Sequence, residues 1–453
     1  MRSANNNLAS SRWRAPYPEP VGTIGPLPVS ADTVVIGGGI AGICTAYWLA
    51  RQGISTVVCE KGVVAGEQSS RNWGWIRKMG RDPRELPLMM ESERIWDTLD
   101  PRVSSEIGYQ KSGIVYLCDT DAELNKREKW RQSVADFSLD TRLVERRELK
   151  NVLNGIEGDW AGALYTASDG RAEPHKAVAA LAKAAISAGA AIRTNCAVRG
   201  IDTATGKISG AVTEHGTIAC NAVVLAGGAW SSLFCASIGI RLPQLKVLAS
   251  AMRIGAFEGG PEAAAWGPGF AFRKCADGGY TVANGSGTIA DIVPDSFRYF
   301  FDFLPVLKSE WRDLRLRIGG EFFAQLAQPR GWRLDAPSPF EAVRVLDPVP
   351  RADILATALG SLRSTFPAFK GGHVSNHWAG MIDTTPDVLP VISGVPGIPG
   401  LFISTGFSGH GFGIGPGAGK LMAALVAGNR PMVDPSPFRF DRFSDGSKPR
   451  PGL

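Results

Sequence analysis

The chain has no paired-cysteine signature. Its seven cysteines (44, 59, 118, 196, 220, 235 and 275) include no CxxC spacing and mostly lie inside apolar runs. They read as reduced core thiols, which excludes a disulfide framework and points to the cytoplasm. No uncharged apolar run approaches the ~18 residues a membrane span needs. The start, "MRSANNNLASSRWRAPYPEP", is polar and then proline-rich, unlike a signal peptide. A basic block is also missing: the formal charge of +6 is dispersed and interrupted by acids, so nucleic-acid binding has little support. Histidine is scarce. His373 and His377 are four apart, but "GGHVSNHWAG" reads as turn and strand, so no metal site is expected.

With 453 residues, 44% hydrophobic and 20% charged, the chain is long enough for two or three domains' worth of core. Residues 1–30 carry five prolines in their last fifteen positions and read as an extended arm, with Trp13 and Tyr17 available to pin it. The segment "ADTVVIGGGIAGICTAYWLARQG" predicts a buried strand over 33–36, a tight turn over 37–39 and an apolar helix over 40–52 closed by Gly53. A second strand, "ISTVVCE", completes a βαβ unit, whose right-handed crossover makes the sheet parallel. From about 80 to 165 the texture changes to charged amphipathic helices (83–99, 121–137) and short strands such as 113–117. Nucleotide-fold texture returns over 168–240, and again over 376–430, which ends in a predicted helix over 417–427.

In Gly37-Gly38-Gly39-Ile40-Ala41-Gly42 the first glycine allows the turn, the second admits a pyrophosphate to backbone N–H groups, and the third lets helix pack on strand. Glu60 answers it 23 residues later, at the end of the second strand, where a carboxylate accepts from ribose hydroxyls. NAD and FAD sites share this fingerprint. Two later stretches decide between them: the small, polar "GEQSSRNWGW" after Glu60, and "GFSGHGFGIGPG", a second glycine loop opening a helix.

With "DGRAEPHKAVAALAKAA", "VVLAGGAWSS" and "WAGMIDTTPDVLPVI", these motifs resemble the FAD-dependent amine and amino-acid oxidoreductases of the D-amino-acid-oxidase-like superfamily, over about 31–445. The resemblance implies an α/β fold: a Rossmann-like FAD-binding domain (31–80, 168–240, 376–430) interleaved with an α+β substrate domain on a mixed sheet (81–167, 241–375), with a tail at 431–453. It implies that Gly37, Gly39 and Gly42 touch the pyrophosphate and Glu60 the ribose. Ser69, Ser70 and Arg71 would follow the diphosphate and ring edge, Val198 would meet the adenine, and Ala226 and Gly227 would line the cofactor. Gly409, His410 and Gly411 would meet the pyrimidine end of the flavin. Their motif neighbours Ile40, Ala41, Lys61, Gln68, Asn72, Trp73, Gly74, Trp230, Gly380, Phe412 and Gly413 are carried as further contacts. FAD is expected to be non-covalent, because Gly380 stands where sarcosine oxidase has its attachment cysteine.

The implied reaction is oxidation of a C–N bond: a neutral amine gives hydride to flavin N5, and the imine hydrolyses. Trp75 is a candidate cavity wall. Relatives that bind α-amino acids usually place an arginine where this chain has Ile382, followed by Asp383. Two readings stay open. Either the substrate is a cationic or N-substituted amine with Asp383 as counter-charge, or a carboxylate is held from elsewhere, with Arg77, Lys78, Arg81, Arg273 and Arg344 as candidates. The plainer account of Asp383 is that it caps the Thr384-Thr385-Pro386 turn. The electron acceptor would be oxygen or a quinone or carrier, and an oligomer is possible. The competing reading is an FAD-carrying subunit of a heteromeric dehydrogenase.

Overall fold

The computed structural model describes residues 12–285, 288–310, 314–447 and 450–451. Six strands form the first sheet, in the order Ala191–Arg193, Thr56–Cys59, Thr33–Ile36, Ala222–Leu225, Leu401–Thr405 and Val391–Gly394; all neighbours are parallel except the last pair. Successive strand residues alternate between its faces. Val35, Val58 and Val224 pack with helices Ile40–Ala50, Pro174–Ser187 and Gly411–Val426. Val34, Val57, Val223 and Ile403 pack instead with the small antiparallel sheet Val198–Ala204, Lys207–Thr213 and Gly216–Ala219.

A second, mixed sheet of eleven strands carries the rest. Its central strand, Leu245–Ile254, runs antiparallel to Val374–Thr384 and to Tyr280–Ala283. One face, with Met252, Ile254, Phe270, Phe272 and Tyr280, packs on helix Ala352–Thr365. The other face turns Ala249, Ala251, Tyr116 and Trp266 toward a cavity.

Four segments are placed differently from the sequence reading. Strand Val374–Thr384, placed by sequence mostly in the cofactor part, is hydrogen-bonded along its length in the second sheet. The arm does more than extend: Arg12–Trp13 adds a parallel edge strand beside Asn376 and His377, and Val21 is buried, while Tyr17 is 60% exposed and the expected pinning by the Trp13 side chain lies outside what is described. The tail is packed, with Phe438 in the core and Arg442 in a buried ion pair with Asp387 (2.9 Å). The final helix starts at Gly411, six residues early. Its glycines look like a loop in sequence, yet they serve close packing: a Cβ on Gly417 would meet Leu88 O at 2.8 Å, and one on Gly419 would meet Cys44 Cβ at 2.4 Å. The Ser92 hydroxyl donates to the Gly413 carbonyl (2.7 Å) and accepts from the Gly417 N–H (3.1 Å). Those two groups bond each other in an uninterrupted helix, so Ser92 stands in beside Pro416.

Candidate active site

Two cavities meet between the sheets. The first encloses about 1270 Å³ and runs from the end of strand Thr56–Cys59 to the start of helix Gly411–Val426. Gly37 turns there at φ +111°, and a Cβ on it would lie 2.4 Å from Ala226 O, so only glycine fits. The Ile40 N–H donates to Ser69 Oγ (3.0 Å) at the helix N-terminus. Glu60 accepts from Gly38 N and Gly62 N, both at 2.7 Å; burial still pushes its carboxyl above the ordinary value. Gly39, Ala41, Gln68, Asn72, Val198, Gly227, Gly409 and Phe412 also line this cavity, as does Gly411.

One end is closed by contacts the sequence did not show. Lys61 Nζ donates to Glu67 (2.7 Å) and to the carbonyls of Val343 (2.8 Å) and Arg344 (3.0 Å), and lies 4.5 Å from the Trp230 ring centre. Trp230 Nε1 donates to Glu67 at 3.0 Å. Phe234 and Phe340 complete the wall. Among residues 338–347 no motif announces this; Lys61 and Trp230 were expected at the cofactor, and Glu67, which joins them, lies inside a quoted segment.

The second cavity, of about 1150 Å³, shares Gln68, Asn72, Ile382, Gly409 and Phe412 with the first. Five Trp, Tyr or Phe side chains line it: Trp73, Trp75, Tyr116, Trp266 and the shared Phe412. Trp266 and Tyr116 are register neighbours on adjacent strands, with ring centres 4.7 Å apart. Three arginines line it as well, and no acid does among the described residues. Arg71 is ion-paired with Asp347 (2.6 Å) and donates to Ala379 O. Arg81 is ion-paired with buried Glu85 (3.1 Å). Arg77 has no carboxylate partner among the described residues; it donates to Met79 O and lies 5.8 Å from the Tyr116 ring centre. Trp75 is 8% exposed, and its Nε1 has no hydrogen-bond partner among the described residues.

His410 lines this second cavity, with Nδ1 3.3 Å from Glu85. Burial first, and the Arg81 charge next, push its imidazole down to about 4, so it stays neutral near pH 7. Burial acts to raise Glu85, but Arg81 and His410 outweigh it and hold the carboxyl at about 2.

Several expected site residues are placed elsewhere. Arg344 stands at the closed end of the first cavity, ion-paired with Glu214, far from the aromatic box. Arg273 is buried in a pair with Glu173 (2.8 Å) and lines neither of these two cavities. Lys78 turns away to Glu93. Asp383 is 8% exposed and accepts from Gly406 N (2.6 Å), Thr405 Oγ1 (3.1 Å) and Gln244 Nε2 (3.2 Å), so it stitches strand ends together and is absent from the second cavity's wall. Ser70 faces away from both cavities, and Arg71, Trp73, Gly74 and His410 line the second cavity only. Gly42, Gly380 and Gly413 line neither. Gly42 lets helix meet strand, Gly380 makes room for the Gln68 amide, and Gly413 packs against the Trp75 carbonyl.

The FAD dependent oxidoreductase family model matches residues 32–425, and the chain belongs to that family. It is similar to the sarcosine oxidase subunit beta of Arthrobacter (26% identity, covering 92% of each chain) and to the glycine oxidase of Pseudomonas putida (25%, covering 90% of this chain and 98% of that one). Among solved structures it is similar to the L-amino acid deaminase of Proteus myxofaciens in complex with anthranilate. That match has a TM-score of 0.90 and 36% identity, and covers 96% of this chain and 98% of that one. The chain is therefore an enzyme, an FAD-dependent oxidoreductase, with FAD as its cofactor.

The first cavity fits that cofactor on its own evidence. It offers a glycine cradle a Cβ would fill, a helix N-terminus, a carboxylate at the strand end, and Ser404, whose buried hydroxyl has no partner. Of the seven cysteines, all buried and free, only Cys59 lines it, beside Glu60.

Proposed function

We propose that this enzyme oxidises the Cα–N bond of an L-amino acid with a bulky, preferably aromatic, side chain. The observation that carries the reading is the second cavity: five Trp, Tyr or Phe rings and, among the described residues, an arginine without an acid partner and no carboxylate in the wall. Its support from similarity is the 36% identity to a protein named L-amino acid deaminase, whose bound anthranilate is an aromatic carboxylate.

Gly37, Gly39, Ile40 and Ser69 would hold the diphosphate of FAD, Glu60 the ribose, and Gly409 and Gly411 the flavin end. Bound FAD supplies the two-electron oxidant. Arg77 and the free Nε1–H of Trp75 receive the substrate carboxylate, fixing Cα relative to the shared wall of Gln68, Asn72 and Ile382. The guanidinium groups and the low dielectric that keep His410 neutral act equally on a substrate ammonium. The cavity therefore favours the neutral amine without a dedicated base, and the resulting imine hydrolyses on release. The aromatic box receives the side chain and excludes water.

The test is anaerobic reduction of the yellow holoprotein by L- and D-phenylalanine, sarcosine and 2-phenylethylamine. Bleaching by L-phenylalanine is expected; bleaching by the amine alone sinks the reading. Oxygen uptake against quinone reduction identifies the acceptor, oxygen or a quinone or carrier. Seven buried free thiols suit the reducing cytoplasm. A second reading, an FAD-carrying subunit whose activity needs a partner chain, draws on the similarity to sarcosine oxidase subunit beta. Turnover by the purified chain alone removes it.

A further inference from the structure

We propose that Asp169 is a positioning residue for substrate recognition, holding the Arg77–Met79 turn so that the Arg77 guanidinium is presented to the second cavity. The proposal rests on the reading of Arg77 as the carboxylate-binding group. Asp169 lines neither the cofactor cavity nor the substrate cavity and is 1% exposed. Its Oδ1 accepts from Lys78 N at 2.7 Å and its Oδ2 from Met79 N at 3.2 Å, the two backbone donors that follow Arg77. Its own carbonyl accepts from Gly113 N (2.9 Å), and the next residues, Gly170–Arg171, pair with both Trp75–Ile76 and Gln110–Lys111. Asp169 is thus tied to the strand that carries Trp75.

The carbonyls of the turn are used as fully as its N–H groups. The Arg77 carbonyl accepts from Arg81 Nε (3.1 Å), and the Met79 carbonyl accepts from Arg77 itself. The side chains then part: Arg77 enters the cavity, whereas Lys78 goes the opposite way to Glu93 and Ser168 Oγ (2.8 Å). Among the described residues, the two oxygens of Asp169 are the acceptors of Lys78 N and Met79 N, and they fix the backbone at which the side chains part.

Burial raises the Asp169 carboxyl to about 6 against the pull of Lys78, the two N–H groups and Arg77. The other charged or titratable groups around it are Glu93 from helix Leu86–Asp97, Tyr109 and Lys111 beside the neighbouring strand, and Asp140 through Ser168. A carboxyl that loses an acceptor lone pair as pH falls through about 6 loosens the turn just below neutrality.

The test is a double-mutant cycle on holoenzyme, titrating the flavin spectrum with benzoate, an aromatic carboxylate, and with benzamide, its uncharged counterpart. D169N is expected to weaken benzoate about tenfold and to leave benzamide unchanged; in an R77Q background it is expected to add nothing. Equal weakening of both ligands, or a full additional loss in the R77Q background, marks a merely structural residue and overturns the proposal. If R77Q weakens benzoate and D169N does not, the proposal fails while the reading of Arg77 stands. If R77Q has no effect, both fail. Should D169N not fold, wild-type enzyme decides: benzoate affinity is expected to fall severalfold from pH 7 to pH 5 while benzamide affinity stays level, and a flat benzoate profile overturns the proposal.

Discussion

The two cavities share Gln68, Asn72, Ile382, Gly409 and Phe412, yet they are made of different materials. The first cavity is the richer in glycine, with seven in its lining around a helix start and strand ends, and Glu60, Glu67 and Asp383 in its wall already accept N–H or ammonium donors. The second cavity has three glycines among its described lining residues and is otherwise walled by residues with side chains, drawn from the eleven-stranded sheet, the strand of Trp75 and the loops around them. Its charge is unbalanced, since two of its arginines are neutralised by acids lying behind them and the third is not. A site for a cofactor shared across a family can be written in backbone, where few residue types suffice. A site that selects a substrate has to be written in side chains held from several directions.

That contrast can be broken most decisively from the backbone side. Gly37→Val places atoms where Ala226 O already lies, so the purified protein is expected to be colourless, with flavin absorbance per chain near zero. Retained flavin would show that the cradle tolerates side chains and would falsify the contrast. Next in size is Glu85→Gln, which leaves Arg81 buried without its partner; a loss of about 3–5 kcal/mol is expected in denaturant unfolding. Arg77→Gln is expected to cost about 2–4 kcal/mol in kcat/KM for an amino acid, mostly through KM, and to leave the matching amine unaffected. Equal losses on both substrates would place Arg77 outside recognition.

The pH dependence is a smaller effect. His410 is held neutral in the fold, and its pKa of about 4 lies below the usual imidazole value of 6.5, so the unfolded chain takes up the proton first as pH falls. Stability should therefore decline between about pH 6.5 and 4, by no more than about 3 kcal/mol, with Glu85 adding its own loss only as pH falls from its ordinary 4.5 toward 2. Thermal unfolding of H410N should show a flatter profile over the upper window. Smallest is Asp383→Asn, expected to lower stability by about 1–2 kcal/mol without shifting preference between amines and amino acids. A shift toward amino acids would restore Asp383 as a counter-charge.

The same division governs what could be read in the sequence. The βαβ unit, its glycines and Glu60 were legible because spacing and residue type determine them locally. Arg77 could be named only as one of five cations, because which of them carries a partner depends on Glu85, Glu173, Glu93 and Glu214, and of these spacing connects only Glu85, four residues after Arg81. Asp383 misled for a related reason: an acid beside Ile382 reads as a wall, whereas the strand's alternation turns only Ile382 to the substrate cavity. Tyr116 and Trp266 went unnoticed because their pairing joins strands about 150 residues apart in sequence.

The glycine-studded helix behind Phe412 has a bearing on engineering. Its backbone lies against helices Ile40–Ala50 and Leu86–Asp97 with no room for even a methyl group at Gly417 or Gly419, and its carbonyl at Gly413 is held by Ser92 and by Trp96 Nε1 (2.9 Å). This wall cannot be moved to admit a larger substrate without dislodging the cofactor side of the molecule. Retuning selectivity is better attempted on the opposite wall, where Ala249, Ala251, Tyr116 and Trp266 project from strands whose hydrogen bonding does not depend on what those side chains are.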